Sequence, residues 1–253
     1  MLFRSAAWSA QNIHRHLDIP VSVVTNAREQ AELYSSFDNI IDAVPETGGT
    51  RYFEDYASTV SWHNAGRVDA YRLTPYDKTL VLDADYVVAS NQLQQVLDLP
   101  HNFLCHKDAW DLSTGQFLTE LNTFGRYGMP MWWATVMMFQ RSTLAEYIFD
   151  SMTMVRQNWQ HYRDLYNIDR PTYRNDFALS IALGIVSGHT LEVDTMPWPL
   201  ASTLPEHTIQ QLDQDYYSIT YNDSEGKVKT VGMRGQDFHA MGKKQLEAII
   251  ENS

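Results

Sequence analysis

Two carboxylates one residue apart, Asp83 and Asp85, follow an apolar run in the stretch TLVLDADYVV, residues 79–88. In a strand, positions i and i+2 point to the same side. The spacing therefore predicts two acidic side chains on one face at a strand end. Like charges repel strongly in a low-dielectric cleft. A divalent cation between them relieves that repulsion, and hard oxygen donors select Mg2+ or Mn2+. The plain alternative is a pair of solvated turn aspartates.

The elements that must position this pair alternate along the chain. Residues 5–17 carry Ala6, Ala10, Ile13 and Leu17 at helical spacing, and IPVSVVTN (19–26) reads as a β-branched strand. A helix near REQAELYS, a strand at NIIDAV and a loop at 45–50 follow. A long helix containing Gly66 is expected over 56–73, then a turn over 74–78 and the strand that ends in Asp83. Beyond it come a helix at 91–98 with Asn91 as its cap, a strand at 102–107 and a loop-rich stretch to 131. A strand at 132–140 and helices at 143–162 and 174–185 are next. The tail alternates strands at HTLEVD, YSITYN and VKTVGM with a turn at DSEGK, and a helix over 242–251 closes it. Helix–strand alternation in the first third favours a parallel sheet with crossover helices. With no repeat and no linker, the chain reads as one domain over 1–253.

Charge narrows the choice of partner. The chain has 31 acidic and 19 basic residues, a formal net charge of −12. A protein that grips nucleic acid by its phosphates usually presents a basic face, so nucleic acid is disfavoured. An anionic small substrate would need local cations or a metal ion. Cys105 is the one cysteine, which excludes an internal disulfide and fits a reducing compartment. No segment approaches the apolar length of a membrane span, and the N-terminus lacks the apolar core of a signal peptide. A cytoplasmic protein without a membrane span is the expectation.

Two resemblances attach to the aspartate pair. DADYVV resembles the nucleophile motif of haloacid-dehalogenase-type phosphatases, in which Asp83 would attack phosphorus. That family carries the motif near its N-terminus, whereas about eighty residues precede it here. The longer block GRVDAYRLTPYDKTLVLDADYVV resembles glycosyltransferases of the GT-A fold, in particular the retaining family of glycogenin and the bacterial galactosyltransferases. Arg67, sixteen positions before Asp83, falls where that family has a phosphate-contacting Lys or Arg. WATVMMFQ (133–140) occupies the place of a family strand, with Ala134 and Thr135 in place of its Ser-Gly pair. NDFALSIAL (175–183) resembles a family helix start, with Asp176 matching its Asp and Phe177 replacing its Gln. FHAMGKK (238–244) resembles the family's C-terminal segment without its final Lys-Pro-Trp. The resemblance runs over residues 5–244. The family opens with a strand that cradles the nucleotide base, and this chain opens almost at the helix that follows it.

The second resemblance implies a GT-A-like three-layer α/β/α fold with a mostly parallel mixed central sheet. It implies a sugar transferred from a nucleoside-diphosphate sugar, a UDP-sugar, with retention and with Mn2+ or Mg2+. Asp83, Asp85 and His239 would hold the metal. Arg67 and either Lys243 or Lys244 would meet the diphosphate, and Gly242 would let the backbone approach it. Asp176 would face the positive charge developing on the sugar, or simply cap its helix. Asp108, at the carboxyl end of the 102–107 strand beside His106 and Lys107, would border the same cleft and touch acceptor or donor sugar. Arg67 has a plainer reading as the partner of Asp69 or Asp85. Trp132, Trp133 and Trp198 read either as core or as stacking surfaces for a sugar. The acceptor is unidentified, monomer and homodimer both stay open, and a non-catalytic sugar-nucleotide-binding relative is a third reading.

Overall fold

The computed structural model describes residues 2–43, 49–53, 58–62, 64–170, 172–190 and 192–251. Helix α1 (Leu2–Leu17) buries Ala10, Ile13 and Leu17 of the expected stripe, while Ala6 is half-buried and Ala7 and Trp8 are buried in its place. Strand β1 (Ser22–Thr25) then runs parallel to β2 (Asn39–Asp42) across the four-residue helix α2 (Arg28–Ala31). This is the expected strand–helix–strand unit, with a shorter helix. Only Ala31 of α2 is buried and the following Leu33 is exposed, so nothing extends the helix.

The long helix expected over 56–73 does not form. Strands β3 (Gly49–Phe53) and β4 (Ser58–Trp62) make an antiparallel hairpin. A 3-10 helix (Asn64–Asp69) and a single helical turn, α3 (Ala70–Leu73), follow. Ser58, Thr59, Val60 and Ser61 are poor helix formers, and Thr59 and Val60 suit a pleated strand. Pro75 stops α3.

Strand β5 (Lys78–Leu82) leads through the Asp83–Asp85 stretch to the two-residue strand β6 (Tyr86–Val87). Helix α4 (Gln92–Leu97), strand β7 (Phe103–His106) and strand β8 (Ala109–Asp111) come next. Short strands β9 (Thr123–Phe124) and β10 (Met129–Pro130) pair with each other before β11 (Trp133–Gln140). The helix expected over 143–162 is two, α5 (Thr143–Gln157) and α6 (Trp159–Leu165). They break at Asn158, whose backbone leaves the helical region and whose side chain donates to the Met154 carbonyl. Helix α7 (Asn175–Val186) lies where its apolar spacing put it. The 189–194 segment makes no strand among its described residues. The tail holds β12 (Leu200–Thr203), β13 (Thr208–Asp213), β14 (Tyr216–Asn222), β15 (Val228–Arg234), β16 (Phe238–Ala240) and helix α8 (Lys243–Glu251).

The chain is a mixed α/β protein with several sheets rather than one mostly parallel sheet. β5 and β7 are separated by β11, antiparallel to both. Parallel pairing is found in β1–β2 and where β12 lies between β16 and β8; β6 joins that sheet antiparallel to β16. β13, β14 and β15 form an antiparallel meander. The β5–β11–β7 sheet is buried on both faces, which explains the unbroken apolar run of β11. Met137 and Phe139 pack against α5 and α7. Val136 and Met138 pack against α1, α4 and the β6–β16–β12–β8 sheet. The far face of that second sheet rests on α8, the meander and Trp8.

Candidate metal centre

Asp83 and Asp85 do come together, but not by strand alternation. The Asp83 N–H donates to the Thr135 carbonyl (2.9 Å), and the chain then turns, with the Tyr86 N–H donating back to the Asp83 carbonyl (2.9 Å). The turn, not a pleated strand, brings both carboxylates to one side. It lies where the chain leaves β5, beside β11, and enters β6, which pairs with β16. That pairing sets His239 opposite Tyr86, and the Ala240 N–H donates to the Asp85 carbonyl (2.9 Å). Ligand atoms of Asp83, Asp85 and His239 consequently all lie within 4.8 Å of one another. His239 Nε2 stands 3.6 Å from Asp85 Oδ1.

Arg67, from the 3-10 helix, donates to the Asp83 carboxylate and to the Ala134 carbonyl. It therefore pairs with Asp83, neither with Asp69 nor with Asp85. Asp69 is taken by Arg72 and Arg156. Ala134 can serve the site because β11 is irregular there. Its register with β7 shifts between Trp133 and Met137, which takes the intervening residues out of the β7 ladder. The Ala134 N–H donates to Asp176 Oδ1 (3.0 Å) and its carbonyl accepts from Arg67. Asp176 lies in the first turn of α7, and its second oxygen accepts from Arg174 (2.7 Å). It is not the helix cap; Arg174 occupies that position.

Burial and neighbours set the charge states. Burial raises the Asp83 carboxyl above its ordinary range, and Asp85 adds to the rise while Arg67 opposes it. Burial also pushes on Asp176, but Arg174, the Ala134 N–H and Arg67 outweigh it and hold that carboxyl below its ordinary value. Burial favours neutral His239, yet Asp85, Asp83 and Asp176 together raise its pKa. Burial likewise opposes the Arg67 charge, which Asp83, Asp176 and Asp85 restore. Three carboxylates thus face two guanidinium groups, Arg67 and Arg174. Two hard oxygen donors and one imidazole at this spacing could close on a single divalent cation with a small adjustment. His239 Nδ1, buried and without a hydrogen-bond partner, leaves Nε2 as the atom turned to the carboxylates.

Other expected site residues fall elsewhere. Asp108 is exposed and is not among the three residues whose ligand atoms converge. Gly242 is closely packed: a Cβ there would lie 3.1 Å from the Pro205 carbonyl oxygen. Its own carbonyl accepts from the Gln245 and Leu246 N–H groups as α8 begins. Lys244 is exposed in the first turn of α8, while the Lys243 side chain lies outside the described residues. Trp132 and Trp133 are core, at 1% and 5% exposure, so neither presents a face to a sugar. Trp198 is half-buried against the same core. Arg174 was not singled out by the sequence, although it lies two residues before Asp176; a basic residue beside a candidate carboxylate was the available signal. No family model matches this chain, and neither a curated protein nor a solved structure matches it.

Proposed function

We propose that this chain is a metal-dependent glycosyltransferase of GT-A type that moves a sugar from a nucleoside-diphosphate sugar, a UDP-sugar, to an acceptor. The observation that carries the reading is the convergence of Asp83, Asp85 and His239 within 4.8 Å, from positions more than 150 residues apart in the chain. Arg67 beside Asp83 and Asp176 beside Ala134 support it, because the residues that resemble the family's motifs meet in one place.

Asp83, Asp85 and His239 would hold Mn2+ or Mg2+. When bound there, the cation supplies the charge that opposes a diphosphate leaving group. Arg67 is already oriented by Asp83 and Ala134, and Lys243 or Lys244 adds a charge-assisted hydrogen bond to the diphosphate. Asp176, kept ionised by Arg174 and the Ala134 N–H, faces the positive charge that develops on the departing sugar carbon. Transfer with retention follows from the family resemblance. The phosphatase reading draws less support. Asp83 would be its nucleophile, yet that carboxylate is engaged by Arg67. A net charge of −12 argues against a nucleic-acid acceptor. A cytoplasmic site of action fits a lone, buried Cys105 and described helices none of which is long and apolar enough to cross a membrane.

The test is thermal unfolding with a panel of nucleotides and sugar nucleotides, with and without Mn2+. A ligand that binds only the native state raises the midpoint. A UDP-sugar should raise it with Mn2+ and far less without, and Asp85→Asn should lose the Mn2+-dependent part. A shift by no nucleoside diphosphate, or an unchanged shift in Asp85→Asn, would sink the reading.

A further inference from the structure

The two ring nitrogens of His239 are in different situations. Nε2 faces Asp85, while Nδ1 is buried and has no partner. A second buried polar atom without a partner, Ser202 Oγ, lies on the adjoining strand. Ser202 and His239 are directly paired across the parallel β12–β16 ladder. Adjoining strands run about 4.8 Å apart, and directly paired side chains leave the same face.

Core packing identifies that face. In β16, Phe238 and Ala240 pack toward α8 and the meander, so His239 between them points the other way. In β12, Ala201 packs toward α8, whereas Leu200 and Leu204 pack toward β5 and β11, so Ser202 points with them. Tyr86, opposite His239 on β6, belongs to the same face. Ser202 is 0% exposed, so bulk water does not serve its hydroxyl. A hydroxyl in an apolar core without a hydrogen bond is destabilising by itself. An apolar residue would do better there unless the oxygen has a use.

We propose that Ser202 is the positioning residue of His239: a side-chain rotation lets its hydroxyl oxygen accept a hydrogen bond from Nδ1–H, which holds the ring with Nε2 toward Asp83 and Asp85, where its lone pair would meet a cation bound between them. A histidine that ligates a metal through one nitrogen commonly donates through the other, which fixes the tautomer and ring angle. No acid partner is required, since a hydroxyl suffices as acceptor. The consequence for cation affinity rests on the metal-site reading above; the Nδ1–H bond to Ser202 does not.

The neighbouring Thr203 supplies the control. Its hydroxyl is equally buried and equally unpartnered, but successive strand residues face opposite ways, so it lies on the α8 side. Ser202→Ala should weaken Mn2+ binding, titrated by electron paramagnetic resonance, about tenfold or more. Thr203→Val should leave it unchanged. In the metal-free protein, the His239 Nδ1–H proton, assigned with His239→Gln, should show the downfield shift and slowed solvent exchange of a hydrogen bond, and Ser202→Ala should lose both. Wild-type Mn2+ affinity and an unchanged Nδ1–H signal in Ser202→Ala, or an equal loss in Thr203→Val, would overturn the proposal. A wild-type protein that binds no Mn2+ but shows the Ser202-dependent Nδ1–H signal would overturn the metal reading and leave the positioning role standing.

Discussion

Asp83, half-buried, and Asp111, buried, are both aspartates at the end of a strand, yet their surroundings differ in kind. Asp111, at the end of β8, is satisfied within four residues of chain. It accepts from the Ser113 N–H (2.9 Å), the Ser113 hydroxyl (2.8 and 2.7 Å) and the Thr114 hydroxyl (2.7 Å). Burial raises its carboxyl, but these donors more than compensate and hold it below the ordinary value. Its nearest histidine adds little. His207 Nδ1 is 3.8 Å away and accepts from the Leu204 N–H, so it offers Asp111 no proton. Asp83 has no such local nest. Its partner Arg67 comes from sixteen residues upstream, and it faces Asp85 and His239. A carboxylate that the chain satisfies nearby is a structural device. One held among like charges by distant elements is arranged for something that comes and goes.

The largest effect expected from this contrast follows the loss of Arg67. Its side chain is 6% exposed and that of Asp83 is 22% exposed. Removing one member of a buried pair leaves the other charge uncompensated, which costs about 3–5 kcal/mol. Arg67→Met should therefore lower the thermal midpoint markedly. Mn2+ should restore more stability to this variant than it adds to the wild type, because the cation then takes over the charge that Arg67 opposed. A loss below about 1 kcal/mol, the range of a surface pair, would mean that the cluster holds itself together without Arg67.

Next in size is a double dissociation between the two carboxylates. Asp111→Asn keeps one acceptor oxygen and turns an amide toward two hydroxyls, at a cost of about 1–3 kcal/mol. It should lower stability and leave Mn2+ affinity at the wild-type value. Asp85→Asn should do the reverse, weakening Mn2+ on the order of 100-fold or more while the midpoint holds or rises as like-charge repulsion is relieved. Urea unfolding and Mn2+ titration on both variants check the pair. Equal behaviour of the two would erase the distinction between nest and cluster.

The sequence was informative where one segment carries its own instructions. Helix α1, the α7 spacing, the unbroken apolar run of β11 and the DSEGK turn were all legible, because period and turn chemistry are local. So were Asp83, Asp85, His239, Arg67 and Asp176 as members of one group, through the family resemblance. The geometry that joins them was not. Nothing in DADYVV distinguishes a strand end from a turn until β6 is known to pair with a three-residue strand 150 positions later. The same holds for β12, β13 and β16, which are short and take their strand identity from their neighbours. The β4 hairpin strand was mistaken for helix because the apolar positions of 56–73 also fit a 3.6-residue period. Asp108 is the opposite case. The strand end was placed correctly, but β8 starts at once and pairs with β12, leaving the Asp108 side chain outside.

Asp237 is intermediate between the two carboxylates and sharpens the comparison through pH. One of its oxygens accepts from the Ala89 N–H (2.8 Å), while the other is buried without a partner. Burial lifts its carboxyl to about 6 against the pull of the Ala89 and Ser90 donors. Between about 4 and 6 the folded protein therefore holds more protons here than the unfolded chain, and stability falls as pH rises. His106 works in the opposite direction. Burial depresses it to about 4, so over the same interval the unfolded chain holds more protons and stability rises with pH. The two contributions nearly cancel in the wild type. Asp237→Asn keeps an acceptor for the Ala89 N–H and removes only the falling arm. Its stability should climb more steeply than that of the wild type from pH 4 to pH 6, by up to about 1.4 kcal/mol per pH unit. Urea unfolding of both proteins at three pH values measures the difference directly, since every other titrating group is common to the two. Parallel slopes would place Asp237 with Asp111, as a carboxylate whose local hydrogen bonds are enough.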